Sequence, residues 1–245
     1  QCMLAIVYED ESILVVNKPA GVSVHPPTND IGGGVQPSTH PIGWRVHPDA
    51  HITEGTVIQE IQKDYPAAQL AHRLDKDTSG LLLVAKNMHA YEYLKDLFKK
   101  RKIKKKYIAL VTGVIAKDEG EITLPIARSK KDFRKRVATP HVTKDSRPAE
   151  TRFKVLKRFP ERNYTLVEVH PKTGRTHQIR SHLASIGHPV ACDKLYGGKR
   201  YACPMGLTRQ FLHAAGLGLS LSEGRRIILE AELPSDLHSA LVQLS

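Results

Sequence analysis

Apolar positions in this chain fall mostly into short runs separated by turn formers. Ala5 to Tyr8, Ile13 to Asn17 and Val22 to His25 read as strands, with Lys18-Pro19-Ala20-Gly21 turning the chain between the last two. Gly80 to Lys86 is continuous enough for a buried strand. Further strands are predicted at Tyr107 to Val111, Phe153 to Leu156, Tyr164 to Val169, Leu217 to Leu221 and Ile227 to Ala231. Helical spacing is rarer. A helix should start at Thr56, where Gln59 completes a capping box and Val57, Ile58 and Ile61 form a stripe, and should stop before Pro66. Asn87 can cap a second, with Ala90, Leu94, Leu97 and Phe98 on one face. A third runs from about Thr176 to Ile186, between a Thr cap and Gly187 with Pro189, and a fourth from Ser235 to Leu244. Many strands in one extended sheet system with helices interspersed predict an α+β fold.

Between Pro26 and Gly55 the pattern fails. Prolines, a Gly32-Gly33-Gly34 triplet and histidines replace periodicity, so the segment reads as a long surface loop or insertion. No repeat or low-complexity tract divides the chain. The basic polar stretch Arg128 to Arg147 could separate two halves, but residues 1–245 are expected to form one domain.

Composition narrows the partners. With 37 Lys and Arg against 25 Asp and Glu the formal charge is +12, which favours a polyanion, and nucleic acid first. Seven basic residues between Lys99 and Lys106 surround Ile103, and Lys130, Lys131, Arg134, Lys135 and Arg136 make a second cluster. Both are positioned to track a phosphate backbone. Three cysteines, Cys2, Cys192 and Cys203, show no C-x-x-C spacing, which fits a reducing cytoplasm. No apolar run reaches the roughly 18 residues needed to span a bilayer, so no membrane partner is expected. The histidines, among them His40, His47, His51, His170, His177, His182 and His188, match no ligand set. No metal is expected.

The chemistry concentrates in His72-Arg73-Leu74-Asp75-Lys76-Asp77-Thr78-Ser79-Gly80, a polar island between apolar segments. By itself this reads first as a turn in which Asp75, Asp77 and Thr78 satisfy backbone amides, and otherwise as a site carried on a rigid scaffold. The longer string HRLDKDTSGLLLVAKN resembles the motif around the catalytic aspartate of RluA-type pseudouridine synthases, which isomerise uridines in ribosomal and transfer RNA. The resemblance continues through ILVVNKPAG, KKKYIALVTG, PKTGRTHQIRSHLASIGHPV, KLYGG and FLHAAGL, in that order.

The resemblance implies the catalytic fold of that family over 1–245: an extended, mixed, mostly antiparallel sheet flanked by helices and loops, with the cleft across the sheet. It implies Asp75 as the essential carboxylate, Tyr107 as the tyrosine of the second motif and Arg180 as the basic residue that pairs with the aspartate. It implies no cofactor. The reaction breaks the bond from ribose C1′ to N1, turns the base and joins C5 to C1′. An ionised aspartate can attack sugar or base, or stabilise the intermediate, and a guanidinium beside it favours the ionised form. Tyr107 can stack on uracil or move a proton. Arg73, two residues before Asp75, would project to the same face of an extended segment, and with Lys104, Lys105, Lys106, Arg134 and Arg136 it is expected to contact RNA. Ribosomal RNA is the expected target, with transfer RNA as the alternative, and a silent RNA-binding module or an RNA hydrolase as rival classes. Many relatives carry an S4-like RNA-binding domain before the catalytic region, and none is expected within this chain. A cytoplasmic monomer is expected.

Overall fold

A computed structural model describes residues 4–26 and 55–245, so almost the whole predicted loop at 26–55 lies outside the described residues. In chain order the elements are β1 (Ala5–Glu9), β2 (Ile13–Lys18), α1 (Val57–Gln62), β3 (Gln69–Leu70), β4 (Ser79–Ala85), α2 (Met88–Lys99), β5 (Lys104–Thr112), β6 (Glu119–Ile122), β7 (Ile126–Arg128), β8 (Arg136–Ala138), β9 (Thr151–Phe159), β10 (Tyr164–Pro171), α3 (Gln178–Ser185), β11 (Leu212–Ser220), β12 (Arg226–Glu230) and α4 (Ser235–Val242). Ten strands form one sheet in the order β1-β2-β4-β11-β5-β10-β9-β6, with β12 beside β11 and β3 beside β4, and β7 and β8 form a separate hairpin. The β4–β11 pairing is parallel and every other strand pairing is antiparallel. This is the mixed, mostly antiparallel α+β arrangement expected.

Strand periodicity explains how the sheet is covered on both faces. In β4 all seven residues are buried, but Leu82 and Val84 join one apolar cluster while Leu81, Leu83 and Ala85 join another. Leu14 and Val16 of β2 alternate in the same way with Ile13 and Val15. Helix α1 closes the first cluster with Val57, Ile58 and Ile61, and α2 closes the second with Ala90, Leu94 and Leu97. Each such aliphatic side chain stabilises by about 1.5–3 kcal/mol when fully buried. Asn87 Oδ1 accepts from Ala90 N at 2.9 Å at the start of α2, the cap that the sequence predicts.

Three local expectations change. Val22 to His25 is not a strand: Val22 and Val24 are buried, but Ser23 and Val24 turn their carbonyls to the N–H groups of Val57 and Ile58 at 3.0 and 3.2 Å. The alternation marked burial, and the hydrogen bonds went to the open first turn of α1 instead of a ladder. Helix α3 is preceded by His177 in the left-handed region, φ 54°, with no side-chain cap, so the Thr176 cap is not formed. Strand β11 begins at Leu212, five residues before the predicted start, because Gly216 and the buried His213 interrupt its apolar pattern.

Candidate active site

Asp75 sits in the turn between β3 and β4, and neighbouring segments fix that turn through its backbone. Thr78 N donates to Asp75 O at 3.1 Å, and Gly21 N to Lys76 O at 3.0 Å. The buried Lys18 at the end of β2 donates its Nζ to the same Lys76 carbonyl at 2.9 Å. From the segment before β11, Arg209 Nη1 donates to Asp77 O at 3.2 Å and Gln210 Nε2 to Thr78 Oγ1 at 2.8 Å. A polar loop held from two sides by strand ends gives a carboxylate a fixed position.

Arg180, on the first turn of α3, donates Nη1 to Asp75 Oδ2 at 2.9 Å. The rest of its fork is occupied by Asp193, with Nε to Oδ2 at 2.6 Å and Nη2 to Oδ1 at 2.9 Å. Asp193 is fully buried, while Asp75 retains 15% of its side-chain exposure. Asp193 Oδ1 also accepts from Leu195 N and Tyr196 N, each at 3.0 Å, and the Tyr196 ring lies 5.0 Å from the guanidinium. Burial opposes the charge on Arg180, but its hydrogen bonds to Asp193 and the two carboxylate charges outweigh that effect and hold it above its ordinary value. A bidentate anchor on one side thus aims the remaining N–H at Asp75.

His177 completes the cluster. Its Nε2 lies 3.9 Å from Asp75 Oδ2 and its Nδ1 lies 3.0 Å from Tyr196 Oη. Burial lowers its pKa against the pull of Asp75. Tyr196 Oη accepts from Arg136 N at 2.7 Å, and burial pushes that phenol up to about 12. Tyr107 projects from β5 into the same space. Burial first, then the charge of Asp75, push its phenol well above the usual tyrosine range, so it is neutral at physiological pH.

Asp75, Tyr107, His177 and Arg180 share a cleft of about 640 Å³ that crosses β11, β5 and β10 at Leu212, Tyr107 and Pro171. Among the described residues that line it, Asp75 is the sole carboxylate, against Arg73, Lys99, Arg101, Lys105, Lys172, Arg175 and Arg180. Of the three lysines expected to contact RNA from β5, only Lys105 lines the cleft. Lys104 is exposed, and Lys106 is paired with Glu230 on β12. Arg134 pairs with Asp132 at 2.9 Å, while Arg136 contributes its backbone to Tyr196, both on the β7–β8 hairpin and its turn. No group of three or more His, Cys, Asp or Glu suited to a metal occurs among the described residues.

The sequence reading did not single out Asp193 or Tyr196. A signal was present: an aspartate inside the apolar run PVACDKLY must be buried, and a buried carboxylate requires a cation. Cys192 and Cys203 come together as a pair, with their Cα atoms 4.5 Å apart, which their spacing of eleven does not announce.

Comparison with known proteins agrees with this geometry. The sequence model of the RNA pseudouridylate synthase family matches residues 12–185. YlyB of Bacillus subtilis, named as an uncharacterized RNA pseudouridine synthase, is 39% identical over 242 residues, 98% of this chain and 73% of that protein. Ribosomal large subunit pseudouridine synthase C of Vibrio cholerae is 35% identical over 243 residues, covering 98% and 69%. Among solved structures, human RNA pseudouridylate synthase domain containing 1 superposes with a TM-score of 0.72 at 27% identity, over 97% of this chain and 87% of that one. By sequence, by fold and by the motifs that meet in its cleft, the chain belongs to the RNA pseudouridylate synthase family, of the RluA type.

Proposed function

We propose that the chain isomerises uridine to pseudouridine in ribosomal RNA of the large subunit, with Asp75 as the reacting carboxylate. The observation that carries this is the charge pattern of the cleft: among the described residues that line it, one carboxylate, held by Arg180, faces six further Lys and Arg side chains. A polyanion is drawn into such a space, and one anionic reagent waits at its floor. The ribosomal target rests on relatives named as large subunit synthases. Ribosomal RNA is also structured, so the base must be extruded at a cost of a few kcal/mol, offset by stacking and phosphate contacts.

The bond from C1′ to N1 breaks while the Asp75 carboxylate stabilises the electron-poor sugar or adds to sugar or base. The base turns, C5 bonds to C1′, the hydrogen leaves C5 and N1 takes up a proton. Tyr107, kept neutral by burial, offers a ring face to uracil and a phenol to the moving proton. No cofactor or metal enters the scheme. Arg73 lines the cleft beside Asp75 and is suited to phosphate or to the space the extruded base leaves. Lys104, Arg134 and Arg136 supply further basic surface, and a cytoplasmic monomer suffices for the reaction.

The test uses RNA labelled with tritium at C5 of uridine. Isomerisation must release tritium while the RNA keeps its length. Release from large subunit RNA and not from transfer RNA is expected, and the reverse would move the target. A silent binding module would release none, and a hydrolase would shorten the RNA.

A further inference from the structure

Lys105 stands apart from the other basic residues of the cleft. On β5 it shares a face with Tyr107, two residues on, and both line the cleft. Its ammonium donates to Thr173 O at 2.8 Å and lies 6.0 Å from the centre of the Phe98 ring. No carboxylate lies within ion-pair distance of it among the described residues. Asp75, the one carboxylate among the described residues that line the cleft, is engaged by Arg180. An ammonium has three N–H donors, so at least one remains for a ligand.

The charged and titratable groups around it do not supply a counter-charge. His72 from the β3–β4 turn accepts from Leu83 N at 2.9 Å and is driven to about 3 by burial and then by Lys105 itself, so it is neutral. Lys99 and Arg101 from the end of α2, and Lys172 and Arg175 beyond β10, add positive charge. His170 on β10 uses Nε2 on Glu168 at 2.8 Å and turns Nδ1 to the Lys105 carbonyl at 3.2 Å. Tyr107 is a neutral phenol.

Resting on the reading of the cleft as an RNA site, we propose that Lys105 holds the phosphate adjoining the target uridine, a single anionic subsite inside the cleft. An anionic oxygen restores the hydration that burial removed and provides the missing opposite charge. A uracil carbonyl would do only the first. Residues two apart on a strand are about 7 Å from one another, so a nucleotide whose base lies against Tyr107 brings its phosphate within reach of a lysine side chain. Burial also lowers the pKa of this ammonium to about 8. A phosphate would raise it, so RNA binding takes up a proton above pH 8. The sign follows: the contact is fully present below about pH 8 and weakens as pH rises through that value.

The probe is a ten-residue oligouridylate, with affinity measured by fluorescence anisotropy between pH 7 and 9.5. Wild-type affinity should fall by up to about tenfold per pH unit above 8 relative to Lys105→Arg, which keeps its charge throughout. The uracil N3 proton titrates equally against both proteins, so the ratio isolates residue 105. Lys105→Met should be weak at every pH, and its plot of log affinity against log salt should flatten by about 0.7, the value for one phosphate contact on a single strand. Replacing one linkage at a time by neutral methylphosphonate should weaken wild type at one position and leave Lys105→Met unaffected there. Parallel pH profiles for wild type and Lys105→Arg, or a Lys105→Met protein that melts normally and keeps the full salt slope, would overturn the proposal. Because these readouts are of binding alone, they stand apart from the tritium assay: loss of tritium release with the Lys105 signature intact would refute the proposed reaction and spare the subsite.

Discussion

Three groups carry the proposed chemistry at the level of single residues. Asp75→Asn removes the anion and keeps the shape, so tritium release should vanish while RNA affinity stays within a few-fold. Arg180 has a wider task than its motif suggests. A guanidinium that served Asp75 alone could be replaced by methionine at little cost in stability, but here the change strands both Asp75 and the fully buried Asp193. Arg180→Met should therefore lose about 3–5 kcal/mol of stability as well as activity, the usual consequence of breaking a buried ion pair, and thermal melting checks it. Asp193→Asn tests the anchor. It does not itself line the cleft, yet it should lower kcat at least about 100-fold with KM changed far less, because a misaimed Arg180 affects the reacting geometry and not the grip on RNA. Equal losses in kcat and KM, or none, would make Asp193 merely structural. Asp75, Tyr107 and Arg180 were legible because each occupies a motif position. Asp193 was not, because nothing in a linear string states which buried acid meets which buried base.

For the elements, the sheet interior was legible and the irregular backbone was not. Strands β4, β5 and β10 each carry an apolar run, LLLVA, YIALV and YTLV, so period and length locate them. The joint between β4 and β11 depends instead on Gly80, whose φ is +112° and where a Cβ would stand 2.3 Å from Ala214 O. Gly80→Ala must push two paired strands apart, and a loss on the order of 3 kcal/mol is expected. Denaturant midpoints would measure it. The same change moves Ser79 and the Asp75 turn, so surviving protein should be impaired in turnover at temperatures where it remains folded. Retained stability would mean that the β4–β11 contact relaxes without consequence. His177 carries a related lesson. A non-glycine residue at φ 54° ahead of a helix is a placement that propensity disfavours, and it sets the imidazole between Asp75 and Tyr196, where the sequence offered only a count of histidines.

Across the whole molecule, net charge predicted the partner class but not the distribution of roles. The lysines at 104, 105 and 106 look equivalent in sequence, yet alternation and pairing separate them: one is exposed, one enters the cleft, and one is bound to Glu230. Lys106→Met should therefore leave the salt slope of RNA binding nearly unchanged, and a slope reduced by about one contact would show that the pair with Glu230 yields to phosphate. The sheet order also constrains how the protein comes into being. The Asp75 turn leads into β4 and Tyr107 lies on β5, but those strands do not touch; β11, from near the end of the chain, lies between them. During synthesis the reacting carboxylate and its tyrosine therefore have no common scaffold until residues 212–220 have left the ribosome, more than a hundred residues after both were made. The nascent chain should thus be inert, and a chain cut before Leu212 should release no tritium however much of its secondary structure it retains.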